Sequence, residues 1–183
     1  MLISIETSQM KDKGLFAIAE NTESSEVLKK LYSIQHPELH ELIAENSCAD
    51  EELLRKMYGH YMEFETGKLS ENMIRKIFYN PKLPEDIVMQ ILQRYKEKYK
   101  HSFEYLDRNI LYNECITEKA ISLIYNMYKS EEISMGKTLL HELVGDERTG
   151  IDVLQDLLNS EPSDQMLCII ARNPKMKIVP ASE

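Results

Sequence analysis

The sequence predicts an all-α fold, an α-solenoid built from about five to six helical-hairpin repeats. The first observation behind this prediction is a short motif that recurs around a polar residue, which we call the anchor. The anchors are Asn21, Asn46, Asn80, Asn113, Asp146 and Asn173. Consecutive anchors are 25, 34, 33, 33 and 27 residues apart, and periods of this length are typical of stacked supersecondary units.

The second observation is the helical spacing of apolar residues on both sides of each anchor. Apolar residues stand at −7 and −3 before the anchor and at +7 and +11 after it, and steps of four residues trace one face of a helix. The −3 positions hold Ile18, Ile43, Ile77, Ile110, Leu143 and Ile170. The +7 positions hold Leu28, Leu53, Ile87, Ala120 and Val153. Each unit is therefore predicted to contain a first helix, a turn at the anchor and a second helix.

The third observation is the chemistry of the turns. Asparagine tolerates the left-handed conformation that ends many helices, and Pro81 and Pro174 follow two anchors, where a helix cannot continue. N-cap residues come three or four positions after an anchor, at Ser24 or Ser25, Asp50 and Thr117. The following turn carries carboxylates that complement a helix dipole, at Glu26, Glu51, Glu85 and Glu118. The second helices should therefore begin about four residues after the anchors.

Energetics predict that the hairpins stack. Five buried apolar side chains contribute roughly 7–15 kcal/mol to one hairpin, whereas ordering its backbone costs about 1–2 kcal/mol per residue. Stacked neighbours bury both sides of each hairpin, so residues 1–183 are expected to form a single α-solenoid domain. The longer units after Asn46 and Asn80 predict lengthened second helices or extra connecting turns, and not inserted domains. In the last unit, Pro180 stands where an apolar helical residue is expected, so its second helix should be missing.

Four segments each match part of a pattern that consists of an alanine-rich first helix, an anchor, then a proline or cap residue, glutamate and leucine. They are Ile18 to Tyr32, Ile43 to Tyr58, Ile77 to Leu92 and Ile169 to Pro180. This pattern resembles the variant leucine-rich repeat, and the resemblance extends from Leu15 to Pro180. It implies a right-handed α-α superhelix and, as in related HEAT-like arrays, a binding scaffold. The units at Asn113 and Asp146 fit by spacing alone, the period is longer than the family's, and the chain lacks the cysteine cluster that holds iron–sulfur in some members.

Composition narrows the classes of partner. The chain has 31 acidic and 22 basic residues and a net charge of −9, which disfavours general binding to nucleic acid or anionic membranes and fits a basic protein partner. The amino-terminal residues lack the features of a cleaved signal peptide, and no apolar run is long enough to span a membrane. Three widely separated cysteines indicate reduced thiols. We expect a cytoplasmic protein, although secretion without a cleaved signal remains compatible with the sequence.

Histidines and cysteines offer few candidates for chemistry. His36 and His40 are four residues apart and could share a metal, but no third ligand is evident, so His36 is interpreted as a capping residue and His40 as a solvated one. Cys48 and Cys115 both stand two residues after their anchors and are interpreted as small buried turn residues. The sequence therefore indicates no catalytic residue, no metal ligand and no cofactor.

One basic and aromatic stretch interrupts the acidic chain, from Arg94 to His101. Alternating cations and rings can stack on bases and hold phosphates, but cations also complement the end of a helix dipole. Six tyrosines lie in the variable stretches, and they form either a binding surface or the packing between units. These tyrosines are Tyr58, Tyr61, Tyr95, Tyr99, Tyr105 and Tyr128. Tyr32 and Tyr125 lie on or beside core positions and are expected to be structural.

Three hypotheses about function follow. The first is a non-enzymatic protein–protein interaction scaffold that binds its partner along one face of the solenoid. The candidate contact residues are Tyr58, Tyr61, Arg94, Tyr95, Lys98, Tyr99, Tyr105 and Tyr128. The alternative is a nucleic-acid-binding HEAT-like repeat protein that uses the stretch from Arg94 to His101. The third is an enzyme whose site is assembled from different units, with residues that the sequence does not identify.

Overall fold

A computed structural model describes residues 2–63, 68–98, 111, 113–130 and 137–178 of the chain. Across these ranges the regular elements are ten α-helices and one 3₁₀ helix, and they include no β-strand. The α-helices are α1 (Leu2–Asn21), α2 (Ser25–Tyr32), α3 (Pro37–Glu45), α4 (Glu51–Glu63), α5 (Lys68–Phe78), α6 (Glu85–Lys98), α7 (Glu118–Lys129), α8 (Lys137–Gly145), α9 (Ile151–Asn159) and α10 (Asp164–Arg172). The 3₁₀ helix is Pro174–Ile178. The all-α prediction is confirmed for this part of the chain.

The helix boundaries follow the anchors. Helices α1, α3, α5, α8 and α10 end at or within two residues of an anchor, and α2, α4, α6, α7 and α9 begin four or five residues after one. The predicted pattern of helix, turn and helix is therefore present at Asn21, Asn46, Asn80 and Asp146. After Asn173 the chain continues as the 3₁₀ helix in place of a second α-helix. The stretch that precedes Asn113, with Ile110 at its −3 position, lies outside the described residues.

Side-chain caps begin three of the second helices, α2, α4 and α7, as the turn chemistry predicts, whereas α9 begins at Gly150 without one. The Ser24 hydroxyl accepts a hydrogen bond from the Val27 amide, which selects Ser24 and not Ser25 as the N-cap of α2. The Asp50 carboxylate accepts from the Leu53 amide at 2.9 Å, and the Thr117 hydroxyl accepts from the Ala120 amide. Local sequence alone therefore places these helix starts.

The second helices differ in length in the way the unit spacing predicts. Helix α2 has 8 residues and α9 has 9, whereas α4 has 13 and α6 has 14. The extra residues after Asn46 and Asn80 thus extend the second helices by about one or two turns.

The chain divides into two compact units, Met1–Ile87 and Val88–Glu183. In the first unit, the first helices contact one another in order, α1 with α3 and α3 with α5, while α2 packs on α1 and α3 and α4 packs on α5. In the second unit, α10 packs on α8, and the 3₁₀ helix packs on α9 and α10. The single solenoid domain over residues 1–183 stays a prediction.

Apolar residues at the predicted core positions are buried in both units. Fully or almost fully buried side chains at the −3 and +7 positions are Ile43, Ile77, Leu143, Ile170, Leu28, Leu53, Ile87, Ala120 and Val153. Ile18 is the exception at −3, since it is 48% exposed. Among the described residues, no helix is long and apolar enough to cross a membrane.

Candidate functional site

The anchor side chains join consecutive hairpins through buried hydrogen bonds. The Asn46 side-chain amide donates to the Ala19 carbonyl at 2.8 Å and to the Thr22 carbonyl at 3.0 Å. One hairpin later, the Asn80 amide donates to the carbonyls of Ala44 at 2.8 Å and of Asn46 at 3.0 Å. These carbonyls lie at or just after the end of the preceding first helix, where intrahelical amides run out. One amide per junction therefore bonds two carbonyls of the hairpin before it, of which the Asn46 carbonyl also accepts from the Ala49 amide at 3.0 Å.

The same side chain also shapes its own turn. The Asn46 Oδ1 accepts from the Cys48 amide at 2.7 Å, and the Asn80 Oδ1 accepts from the Lys82 amide at 3.0 Å. In the second unit, Asn173 repeats the whole arrangement, with donation to the Val144 carbonyl at 2.8 Å and acceptance from the Lys175 amide at 3.0 Å. A buried asparagine can satisfy both ends of its amide in this way, which offsets the cost of burying it.

Asp146 is an anchor that cannot donate, and Arg148 takes over the donor role. The Arg148 guanidinium donates to the Asn113 carbonyl at 2.9 Å and also to the Leu111 carbonyl, the positions that an asparagine amide would reach from the next hairpin. It bonds the Ile116 carbonyl at 3.0 Å as well. Two further bonds, at 2.9 and 2.7 Å, tie the guanidinium to the Asp146 carboxylate. Asp146 at the anchor and Arg148 two residues later together form the hydrogen bonds that a single asparagine forms at the other described junctions.

These contacts correct the interpretation of the anchors. Asn46 has φ −73° and ψ 120°, and Asn173 has φ −62° and ψ 130°, so both are extended and not left-handed. Among the described residues other than glycine, a positive φ occurs only at Glu161. Asparagine is needed for its two-ended amide and not for its backbone tolerance.

The two anchor-associated cysteines have different surroundings. Both backbone amides bond an anchor oxygen, but Cys115 is buried and Cys48 is half-buried. Burial raises the pKa of the Cys115 thiol to about 11, so this thiol stays protonated at neutral pH. Cys115 is a small buried turn residue, as predicted. Cys168 is exposed on α10.

His40 is buried, so the interpretation of a solvated histidine is wrong. Its Nδ1 lies 2.6 Å from the Tyr61 hydroxyl, and its Nε2 lies 3.0 and 2.9 Å from the carbonyls of Tyr32 and Ile34. Two carbonyls at Nε2 require a proton there, so Nδ1 accepts from the tyrosine and the ring is neutral. Burial lowers the pKa of His40 and raises that of Tyr61 to about 12, which keeps both groups uncharged.

His36 occupies the predicted N-cap position of α3 but does not cap the helix with its side chain. Its ring packs edge-on against Phe16, with 5.2 Å between ring centroids. His60 completes the aromatic surroundings of Tyr32 and Tyr61. The histidines therefore join the aromatic packing of the first unit, and no group of three or more histidine, cysteine or acidic residues in the described part of the chain could hold a metal ion.

The candidate contact tyrosines are not all exposed. Tyr58 and Tyr61 are only 5% and 6% exposed, so they belong to the core, and the packing interpretation applies to both. Both lie on α4, one of the lengthened second helices, and packing of that helix buries them. Their position in a variable stretch of the sequence does not reveal this burial. Tyr128 is half-buried on α7. Tyr32 and Tyr125 are buried as predicted, and the Tyr125 hydroxyl donates to Asp156 at 2.7 Å.

The basic stretch is described only in part. Arg94 is half-buried on α6, and the backbones of Tyr95 and Lys98 continue the same helix. Tyr99 and Tyr105, together with Lys100 and His101, lie outside the described residues. The structure therefore brings no tyrosine-rich contact surface together among the residues it describes.

An exposed acidic row is the surface feature that the repeat does create. We define the acidic edge as Glu26, Glu51, Glu52 and Asp86, which stand in the first turns of α2, α4 and α6. All four side chains are exposed, and Glu52 retains 83% of its side-chain accessibility. The recurrence at +5 and +6 from the anchors brings these carboxylates to the same edge of the first unit.

Ion pairs show that the members of the acidic edge are neighbours. Lys29 on α2 reaches Asp50 and Glu52 at the start of α4, at 2.9 and 2.7 Å. Arg55 on α4 in turn reaches Asp86 at the start of α6, at 2.5 and 2.7 Å. Although partial burial opposes it, hydrogen bonding from Ser25 and the Leu53 amide, together with Lys29, lowers the pKa of Asp50 to about 2. Asp50, which lies beside the edge, therefore stays negative throughout the physiological pH range.

Comparisons with known proteins returned no relative. No protein-family model matches the chain, and neither a curated protein nor a solved structure does. The class that the described residues define is an all-α protein compatible with a helical repeat, and the variant leucine-rich repeat remains a resemblance of the sequence.

Proposed function

We propose that the protein is a non-enzymatic interaction scaffold, an α-solenoid that binds a basic segment of a protein partner along its acidic edge. The observation that carries this proposal is the regular placement of exposed carboxylates by the anchor contacts. Because an asparagine amide closes both described junctions of the first unit, equivalent positions of its consecutive hairpins return to the same edge.

The spacing of the edge favours an extended partner. Packed helices lie about 8–10 Å apart, and an extended polyproline II chain rises about 3.1 Å per residue with three residues per turn, so every third side chain points the same way. A lysine or arginine at every third residue of an extended segment would therefore meet one hairpin after another. Glu51 and Glu52 offer two adjacent carboxylates to each such cation. The acidic net charge of −9 would accelerate the encounter with a basic partner.

The polar groups whose pKa values are shifted support a non-enzymatic role. The neutral His40–Tyr61 pair fills the core of the first unit, and the Asp146–Arg148 pair closes a hairpin junction. Tyr125 and Lys129 both bond Asp156, which ties α7 to α9. Each of these groups has its hydrogen-bonding capacity engaged within the fold, as is typical of structural positions.

Defined peptides test the proposal directly. Fluorescence anisotropy would compare a lysine-rich peptide carrying a cation at every third residue with a peptide of the same composition whose cations are clustered. We expect tighter binding of the spaced peptide, and we expect affinity to fall as salt is added. Equal affinities for both peptides, or no binding at low salt, would contradict the proposal.

A matched pair of variants locates the surface. The triple variant Glu26→Gln, Glu51→Gln and Glu52→Gln removes three of the four charges of the acidic edge, and the ion pairs that it removes are exposed enough to contribute little stability. The control variant carries Glu38→Gln, Glu63→Gln and Glu161→Gln, which removes the same charge from exposed positions elsewhere. Affinity capture from lysate should retain a basic protein on the wild type and the control and lose it on the edge variant. Recovery of nucleic acid alone would favour the alternative, in which the stretch from Arg94 to His101 binds it.

A further inference from the structure

The first and last hairpins carry exposed residues at positions that other hairpins bury. At −3, Ile43, Ile77, Leu143 and Ile170 are buried, whereas Ile18 is 48% exposed. The residue type is the same at Ile18 and Ile43, so the difference lies in what packs on them. Because Ile170 of the last hairpin is buried and Ile18 of the first is not, the −3 side chain faces the hairpin that comes before it.

The −2 position shows the opposite pattern. Ala19, Ala44, Phe78 and Val144 at −2 are completely buried, whereas Ala171 of the last hairpin is exposed. Leu167, four residues earlier on α10, is 40% exposed, whereas its equivalents His40 and Ile74 are buried and Leu15 and Leu140 are half-buried. The −6 and −2 side chains therefore face the hairpin that comes after them. The face of α10 that carries Leu167 and Ala171 has no described hairpin against it.

The anchor contacts show the same division. Asn21 is exposed, and its amide donates back to the Ala17 carbonyl of its own helix at 2.9 Å in place of an earlier hairpin. In the last hairpin, the carbonyls of Ala171 and Asn173 are the equivalents of those that Asn80 binds at −2 and at the anchor. The first hairpin thus holds the donor of a hairpin junction, and the last hairpin holds its acceptors.

Charge at the two faces is complementary as well. Glu20 and Glu23 stand at −1 and +2 from Asn21 and are exposed. Arg172 occupies the same −1 position beside Asn173 and is exposed, whereas Lys175 at +2 forms an ion pair with Glu118 of its own chain. An ion pair at 2.5 Å already joins two consecutive hairpins, between Lys76 and Glu45. Lys76 stands at −4 and Glu45 at −1 from their anchors, so such pairs join positions a few residues apart. Opposite charges at equivalent positions favour contact of these two faces.

From these observations we infer that the occupant of both faces is a second copy of this chain, which stacks its first hairpin on the last hairpin of the other copy. Ile18 packs against Leu167 and Ala171, and the Asn21 amide donates to the Ala171 and Asn173 carbonyls of the neighbouring copy. The contact repeats a hairpin junction between molecules. It is heterologous, since one copy contributes its donor face and the other its acceptor face. This inference is independent of the acidic edge, whose residues do not take part.

The first test measures self-association of the wild-type chain and of single variants. Sedimentation velocity on the intact chain across a wide concentration range should show species larger than the monomer. Ile18→Glu and Leu167→Glu should each weaken association by about tenfold or more, because each places a charge in an apolar contact. Leu158→Glu changes an exposed leucine of similar accessibility on α9 and should leave association unchanged. Circular dichroism melts establish that all three variants remain folded.

Mixing the variants is the decisive experiment. Ile18→Glu retains an intact acceptor face and Leu167→Glu an intact donor face, so an equimolar mixture should form a heterodimer that neither variant forms alone. A symmetric contact between identical faces predicts no such recovery. A monomeric wild type at all concentrations, or variants that associate as the wild type does, would overturn the inference.

Discussion

The junction after Asn46 and the junction before Asp146 reach the same geometry with different side chains. In the first unit the Asn80 amide alone donates to the Ala44 and Asn46 carbonyls. In the second unit a carboxylate stands at the anchor, and the guanidinium of Arg148 donates to the equivalent carbonyls of Leu111 and Asn113. The comparison shows that a junction requires a buried donor at a fixed place, while the residue that supplies the donor can change.

Asn80→Asp should break the first of these junctions and has the largest expected effect. The carboxylate keeps the shape of the side chain but loses the donor, which leaves two buried carbonyls facing a buried negative charge. We expect a loss of about 3–5 kcal/mol in the free energy of unfolding, measured by urea denaturation. The control is Asn21→Ala, which removes an exposed anchor and should change the free energy of unfolding by less than about 0.5 kcal/mol. Equal effects at both anchors would refute the junction role.

Arg148→Ala should break the second junction by a different route. The substitution removes the guanidinium bonds to the Asp146 carboxylate and to three carbonyls. We expect a loss of about 2–4 kcal/mol in the same urea experiment. Arg75→Ala removes an exposed arginine and should have little effect. If the two arginine variants are equally stable, Arg148 does not carry the junction.

Transplanting the pair sharpens the comparison. Lys82 stands two residues after Asn80, as Arg148 does after Asp146. Adding Lys82→Arg to Asn80→Asp should recover about 1–2 kcal/mol of the lost stability, because the guanidinium can reach the same carbonyls. Lys82→Arg in the wild-type background should be nearly neutral. A double variant no more stable than Asn80→Asp would show that the second unit relies on more than these two residues.

The pH dependence of the free energy of unfolding should also distinguish the two junctions, and this is the smallest of the expected effects. Although burial opposes it, bonding to Arg148 lowers the pKa of Asp146, so the folded state holds this proton less tightly than the unfolded state does. Its contribution is complete above the unfolded pKa of about 4 and is lost as pH falls through the lower folded value. Urea unfolding between neutral pH and pH 2 should show a smaller acid loss in Asp146→Asn than in the wild type. Identical pH profiles would contradict this linkage.

Local patterns predicted the helices but not the partners of the anchors. The ends of α3 and α10 and the cap at Ser24 depend on residues within a turn of one another, so the sequence shows them directly. The amide of Asn80 bonds a carbonyl 36 residues earlier, and no local rule points to that contact. One signal was present: the only anchor that is not asparagine has an arginine two residues later.

The candidate site was harder to predict because burial depends on packing between hairpins. His40 stands at −6, where Ile74 and Leu167 stand in other hairpins, and that apolar position indicated a buried histidine. The hydroxyl of Tyr61, 21 residues away, gives the ring its partner, and the sequence cannot show that meeting. The acidic edge was visible only as helix-dipole chemistry, since the ion pairs from Lys29 and Arg55 join different helices.

The two-ended anchor amide has a consequence for how such a chain can change in length. At the junctions within the described residues, the later hairpin gives the donor and the earlier hairpin offers the acceptors, so these junctions all have the same direction. Duplication or excision of a whole hairpin leaves all remaining donors and acceptors matched, whereas a cut within a hairpin leaves a buried amide or carbonyl unmatched. The hairpin is thus the smallest segment by which the array can grow or shrink at little energetic cost.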